Sequence, residues 1–301
     1  MPELITSPSN PKIKRLLALQ QKSSARREAG LFVVEGRREL QHCIDAGFAV
    51  DTVFVCGSLF GSAPRSPEAA TAPGNRATLG IVRGRGPSPD GRGPAQPDVS
   101  GGSWLLPGNV RYFEVSEEVY ARISYREGTE GIIAEVRTPE RKLEDLVLPE
   151  RPLVMVLESV EKPGNLGAVL RSADAAGADA VLICDPLTDL WNPNLIRASV
   201  GAVFTVPCVA CSSEAAIAFL KARGIRILTA QLQDSSLYYD CDMTVGTALV
   251  MGTESTGLTD AWRAAADAHI RIPMLGQLDS LNVSVSAAIL LFEAVRQRRN
   301  G

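Results

Sequence analysis

Aromatic residues make up only 5% of the 301 positions, and histidine occurs just twice, at His42 and His269. With so few rings, any stacking platform for bases is small. Cysteine is also thin, at 43, 56, 184, 208, 211 and 241. Only Cys208 and Cys211 form a CxxC. With no second pair and two histidines, the four ligands of tetrahedral zinc are hard to assemble, so no metal is expected. Scattered free cysteines fit a reducing, cytoplasmic compartment. No apolar run reaches the ~18–20 residues of a membrane span, and the opening MPELITSPSNPKIKRLL lacks a signal-peptide apolar region. A membrane or secreted protein is therefore not expected. There is no Walker A sequence, no GxSxG elbow and no GxGxxG. Those absences remove the usual signatures of a P-loop nucleotidase, an α/β-hydrolase and a nicotinamide dehydrogenase.

What is present is a globular composition, 45% hydrophobic and 22% charged, with length for two ordinary domains. Lys and Arg number 31 against 34 Asp and Glu, a formal net charge of −3. That total speaks against nucleic acid, but the charges are unevenly placed. Between Lys12 and Arg38 lie eight basic residues (Lys12, Lys14, Arg15, Lys22, Arg26, Arg27, Arg37, Arg38) and two acidic ones, Glu28 and Glu35. The run is either a solvated helical face or a surface that contacts phosphates.

Residues 60–109 contain 10 Gly and 8 Pro with little apolar periodicity, which reads as a flexible insertion. Around it, PKIKRLLALQQKSSARREAG reads as a basic amphipathic helix, LFVVEG as a strand, RRELQHCIDAG as a helix and DTVFVC as a strand. VRYFEVS, EEVYARIS and EGIIAEV continue as strand, helix and strand. These elements predict a small α/β domain over 1–138, followed by a charged linker at 139–151. From 152 to 301 the elements are longer and the strands almost wholly apolar. PLVMVLESV, ADAVLICD, VFTVPCVA, IRILTAQ, ALVMG and HIRIPM alternate with helices, which predicts a parallel sheet covered on both faces. Ligands of such sheets bind beyond the carboxyl ends of the strands.

Three loops at those ends carry candidate chemistry. In ESVEKPGNLGAVLRSA, Asn165 sits at an expected helix N-cap and Arg171 follows six residues later. The loop is either a capped helix with a surface arginine or an anion site. In VMGTESTGLT, Gly252 and Gly257 flank Glu254, either as a structural turn or to let the backbone pass close to a ligand. In RIPMLGQLDSLNVSVSAA, Ser280 and Asn282 precede an apolar helix, as caps or as partners for a ligand's polar edge.

Together NLGAVLRSA, MGTESTGL and IPMLGQLDSLNVSVSAA resemble the three signature motifs of the SpoU (TrmH-type) RNA ribose 2′-O-methyltransferases, of the SPOUT class. The likeness covers roughly 152–300. NPKIKRLLAL, FVVEGRREL and EGIIAEV resemble the family's ribosomal-protein-like RNA-binding domain. KPGN stands where the family usually has an acidic residue before the proline, and the Gly/Pro insertion is a second departure. The resemblance implies an α/β SPOUT domain with a deep trefoil knot, formed by the segments around 252–257 and 272–282. It implies a homodimer and S-adenosylmethionine as methyl donor, with Gly252, Ile272, Leu281, Thr229, Ala230, Met274 and Gly257 at the cofactor. Arg171 becomes the central catalytic residue, supported by Asn165, Glu254, Ser280 and Asn282. Lys12, Lys14, Arg15, Arg26, Arg27 and Arg37 become contacts to RNA, ribosomal RNA rather than DNA. The competing readings are a non-catalytic RNA-binding or ribosome-assembly protein, a transfer-RNA 2′-O-methyltransferase, and a base N-methyltransferase.

Overall fold

A computed structural model describes residues 3–60, 110–125, 130–253 and 256–300. The insertion expected over 60–109 lies, beyond Phe60, outside the described residues. The chain divides into two compact units.

The first unit takes the described residues up to Pro139, together with 191–196. Its elements are β1 (Glu3–Ile5), α1 (Pro11–Gln21), α2 (Ser23–Ala29), β2 (Leu31–Glu35), α3 (Arg37–Asp45), β3 (Val50–Val55), α4 (Gly57–Phe60), β4 (Arg111–Val115), α5 (Glu117–Ile123) and β5 (Ile132–Arg137). The strands form a mixed sheet in the order β1-β4-β3-β5-β2. Ile13, Leu16 and Leu19 of α1 recur at helical spacing and are buried with Val33, Phe54 and Ile133. The single basic helix expected from Pro11 to Gly30 is two helices, broken where Lys22 turns extended. Arg26 secures the break, donating from Nη1 to the carbonyl of Leu19 at 2.6 Å.

The second unit takes 140–190 and 197 onward. Its elements are β6 (Leu153–Glu158), α6 (Pro163–Ala176), β7 (Ala180–Cys184), the end of α7 (Pro193–Ser199, whose residues 193–196 count with the first unit), α8 (Ala202–Thr205), β8 (Cys208–Cys211), α9 (Ser213–Ala222), β9 (Arg226–Ala230), β10 (Ser236–Leu237), β11 (Thr247–Met251), α10 (Asp260–Ala265), β12 (Ala268–Arg271) and α11 (Val283–Asn300). All seven strands are parallel, in the order β10-β12-β9-β11-β6-β7-β8. β6, β7 and β11 are buried along their full length, as an inner parallel strand requires. Of the segment expected as a linker, residues 140–151 cluster with this unit, and Leu143 and Leu146 are buried in its core. VFTVPCVA is not one strand. Gly201 adopts φ +85° and starts the short helix α8, so only Cys208–Cys211 form a strand. Among the described residues, no helix is long and apolar enough to cross a membrane.

Helix α6 carries the first of the three loops, and its seating depends on Gly167. A β-carbon there would lie 2.5 Å from Ala198 Cβ and 2.8 Å from the Ala198 backbone, so α6 and α7 meet with no room for a side chain. Gly167→Val is expected to lower stability by about 1–3 kcal/mol through overpacking. Urea unfolding of the variant beside the parent measures that loss.

Candidate active site

The third loop, the loop after β11 and the end of β9 enclose one cleft of about 650 Å³ at the carboxyl ends of β9, β11 and β12. Of the residues singled out in the sequence, Ala230, Gly252, Gly257, Ile272, Met274, Ser280, Leu281 and Asn282 all line it. The loop after β11 is built by backbone contact. Thr253 and Gly257 exchange two backbone hydrogen bonds of 3.2 Å, and Gly257 takes φ +70°. A β-carbon on Gly252 would fall 2.2 Å from the Gly257 carbonyl oxygen, so only glycine lets the two ends of the loop close. Glu254, expected between them, lies outside the described residues.

Asn282 does two jobs. Its Oδ1 accepts from the backbone N–H of Ser284 at 2.9 Å and from the Ser284 hydroxyl at 2.6 Å, capping α11. Its Nδ2 donates to Asn165 Oδ1 at 3.1 Å. The first and third loops, 117 residues apart, are therefore joined at the cleft by one amide pair. Asn165 itself is not the N-cap of its helix. Pro163 fixes the helical φ one position after Lys162, so α6 starts two residues earlier than expected. Arg171 is exposed six residues beyond Asn165, roughly 9 Å along the helix axis, and its guanidinium hydrogen-bonds to no described residue. Thr229 is not at the cleft. It alternates with Ala230 along β9, and its hydroxyl is 2.6 Å from Nδ1 of His269 on β12.

Sequence reasoning passed over Glu158. It ends β6 and is 2% exposed, an acid closing an otherwise apolar strand. Its Oε2 accepts from the Thr259 N–H at 2.9 Å and its Oε1 from the Thr259 hydroxyl at 2.7 Å. Ser213 Oγ lies 3.2 Å from the same Oε1 and itself accepts from the Trp262 indole N–H at 2.9 Å. The chain leaving the cleft loop is thus tied to the strand that leads into α6. The signal was available, since a carboxylate ending a six-residue apolar run needs several donors to be buried. Two polar atoms at the cleft, Gln231 Oε1 and Arg263 Nε, are buried without a hydrogen bond among the described residues. Among the described residues, no group of three or more His, Cys, Asp or Glu is placed to hold a metal.

The basic segment of the first unit splits in two. Lys12 pairs with Glu3 at 2.8 Å and lies over the Phe113 ring, Arg15 pairs with the buried Glu135, and the Arg37 guanidinium lies 3.9 Å over Phe60. Arg26, expected on the surface, is 4% exposed and bonded to backbone carbonyls, which removes it from any phosphate-binding face. Lys14 and Arg27 are exposed and make no ion pair with a described residue.

The sequence model of the SpoU rRNA Methylase family matches residues 152–292, and that of the MRM3-like substrate binding domain matches 10–80. The Bacillus subtilis 23S rRNA (guanosine(2553)-2′-O)-methyltransferase RlmP is 32% identical over 183 residues, 61% of this chain and 72% of the relative. The chain belongs to the SpoU rRNA methylase family. Its likeness to solved SpoU-type structures runs through both units. A crystal structure described as an RNA 2′-O ribose methyltransferase is 36% identical with a TM-score of 0.73, covering 98% of this chain and 99% of that one. An AdoMet-bound rRNA methyltransferase from Sinorhizobium meliloti is 26% identical with a TM-score of 0.76, covering 98% and 97%. The three loops that define this SpoU chain are the ones its fold brings to the cleft and its rim.

Removing the Glu158 carboxylate isolates the role of its bonds. Glu158→Ala leaves the Thr259 N–H and hydroxyl without acceptors and is expected to cost about 2–4 kcal/mol. Glu158→Gln keeps one carbonyl acceptor and is expected to cost about half as much. Unfolding midpoints of the two variants rank them.

Proposed function

We propose that this chain transfers the methyl group of S-adenosylmethionine to a ribose 2′-hydroxyl of RNA, with large-subunit ribosomal RNA as the substrate. The observation that carries this reading is the convergence of seven motif residues, with Ala230 of β9, on a single cleft whose rim is joined to α6 by the Asn165–Asn282 pair. The names of the relatives, 23S rRNA 2′-O-methyltransferases among them, support the substrate class.

The cleft fits the methyl donor. About 650 Å³ holds a ligand of that size, and its lining combines Ile272, Met274 and Leu281 with exposed backbone at Gly252 and Gly257. The unpartnered Gln231 Oε1 and Arg263 Nε offer one acceptor and one donor to a ligand with a purine edge, a ribose diol and an amino-acid end. When bound, the donor supplies an already activated sulfonium methyl group. The protein's own work is then to place the 2′-oxygen in line and ease loss of its proton. Positioning of this kind can supply on the order of 7–11 kcal/mol of the barrier.

Arg171 takes the central role. A guanidinium is a poor base and a good grip for phosphate. In this reading it holds the phosphate beside the target ribose and stabilises the developing alkoxide. Its exposure suits a substrate arriving from solvent. Asn165, Ser280 and Asn282 orient the loops around it, and Glu254 joins them by the motif it shares with the family. Lys14 and Arg27 are the strongest candidates for phosphate contacts in the first unit, with Lys12, Arg15 and Arg37 contributing only by breaking or sharing their present partners.

We also infer a homodimer, a trefoil knot through the two cleft segments, and a cytoplasmic location. Leu275 and Leu278 in the third loop are 97% and 75% exposed, and Val285 and Phe292 lie one heptad apart on the outer face of α11. An apolar surface of that kind beside the cleft is suited to burial against a second copy. All six cysteines are free thiols, as a reducing compartment requires.

Labelled-methyl transfer into RNA, followed by mapping of the methylated nucleotide, tests the reaction. Arg171→Ala is expected to abolish transfer while leaving S-adenosylmethionine affinity, measured calorimetrically, nearly unchanged. Transfer retained by the variant removes Arg171 from the centre of the mechanism. No incorporation by the parent chain turns the reading to a non-catalytic RNA-binding protein. For RNA binding, the Lys14→Ala, Arg27→Ala double variant is expected to flatten the slope of log K against log[salt] by roughly 1–2. Filter binding across a salt series reads that slope.

A further inference from the structure

The CxxC of the sequence is not a pair. Residues three apart on a strand point to opposite faces, so Cys208 and Cys211, at the two ends of β8, part company. Cys208 is 1% exposed and donates to the carbonyl of Val206 at 3.1 Å. Burial pushes its thiol up to about 12. Cys211 instead meets Cys184 at the end of β7. The two are register partners of adjacent parallel strands, and their Sγ atoms are 3.9 Å apart. Strands so paired lie about 4.8 Å apart, inside the ~4.4–6.8 Å between Cα atoms that a disulfide spans.

The two sulfurs differ in access. Cys184 is fully buried, whereas Cys211 is partly open to solvent at the edge strand of the sheet. We propose that Cys184 and Cys211 are a peroxide-oxidisable dithiol, with Cys211 the sulfur attacked first and Cys184 the one that resolves it. The site lies at the opposite end of the strand order from the cleft and owes nothing to the methyl-transfer reading.

The chemistry balances. The Cys211 thiolate attacks a hydroperoxide and breaks the O–O bond. It becomes a sulfenic acid while the departing oxygen leaves as water or an alcohol after taking a proton. The Cys184 thiol then attacks the sulfenic sulfur, the S–S bond forms, and the hydroxyl leaves as a second water with the Cys184 proton. Two thiols are oxidised by two electrons, and one peroxide is reduced. A hydrogen bond from the Cys184 thiol holds Cys211 below the ordinary thiol range against the opposing effect of burial. The same bond, with burial and the nearby Asp185 and Glu158 carboxylates, pushes Cys184 up. The exposed sulfur is thus the better nucleophile and the buried one keeps its proton until the second step.

Stoichiometric hydrogen peroxide on the full-length protein, followed by alkylation and non-reducing peptide mapping, tests this. The expected product is a Cys184–Cys211 cross-linked peptide, lighter by two hydrogens and returned to two thiols by dithiothreitol. Cys184→Ser is expected to stop at a Cys211 sulfenic acid captured by dimedone, and Cys211→Ser to give no cross-link. Should either variant fail to fold, brief alkylation of the native parent replaces it. Cys211 is then blocked before Cys184, and the cross-link is lost. A cross-link through Cys208 or Cys241, dimedone capture at Cys241 ahead of Cys211, or a Cys211 sulfinic acid beside a free Cys184 thiol each overturns the proposal.

Discussion

The second unit depends on one buried carboxylate. Glu158 stands at the end of β6, where the neighbouring strands leave no solvent to share its charge, and an unpaired carboxylate there would be costly. The Thr259 N–H and hydroxyl supply the compensation, with Ser213 beside them and Trp262 donating to Ser213. The Thr259 donors come from the end of the cleft loop, so the carboxylate ties that loop to β6. Ser213 of α9 lies beside it, 2.6 Å from Asp185 Oδ2, and Trp262 of α10 reaches it only through Ser213. Its own chain then runs on to Pro163 and α6. The strand that carries no cleft residue thus governs where two of the three functional loops begin or end.

Given that anchor, the cleft is a problem of backbone approach. The Gly252–Gly257 contact and the Thr253–Gly257 bridge bring main chain to the cleft wall where side chains would fill it. Asn282 then couples cap to site. One side-chain oxygen terminates α11, and the amide nitrogen on the same group reaches Asn165. The reading of that asparagine as a helix cap holds, and the same side chain also reaches the first loop, because an amide has a donor and an acceptor to spend separately.

The parallel sheet, the helices α6 and α11 and the three loops were legible because each rests on local pattern: apolar runs, a Gly-terminated helix at Gly177, glycines where the chain must close. What was not legible rests on contacts between distant residues. The break at Lys22 is held by Arg26 reaching back to the Leu19 carbonyl, so a basic residue expected on the surface is interior. VFTVPCVA reads as a strand from its branched apolar residues, yet a short run cannot reveal whether it is helix or strand, and burial of Val203 and Phe204 selects the helix. Thr229 missed the cleft by one residue, the interval that turns a strand side chain to the other face.

Charge in the first unit follows the same logic. Of the six basic residues first assigned to RNA, four already have partners in the fold: Glu3 for Lys12, Glu135 for Arg15, carbonyls for Arg26 and an aromatic face for Arg37. A guanidinium held over a ring or against a buried carboxylate contributes to stability, and releasing it for a phosphate trades one interaction for another. An exposed lysine or arginine without a partner gains its full counterion-release term on binding. Under the proposed function, the exposed Lys14 and Arg27, which make no ion pair with a described residue, are therefore the first of the six to reach a phosphate. Net charge averaged over the chain, or over this segment, conceals that division.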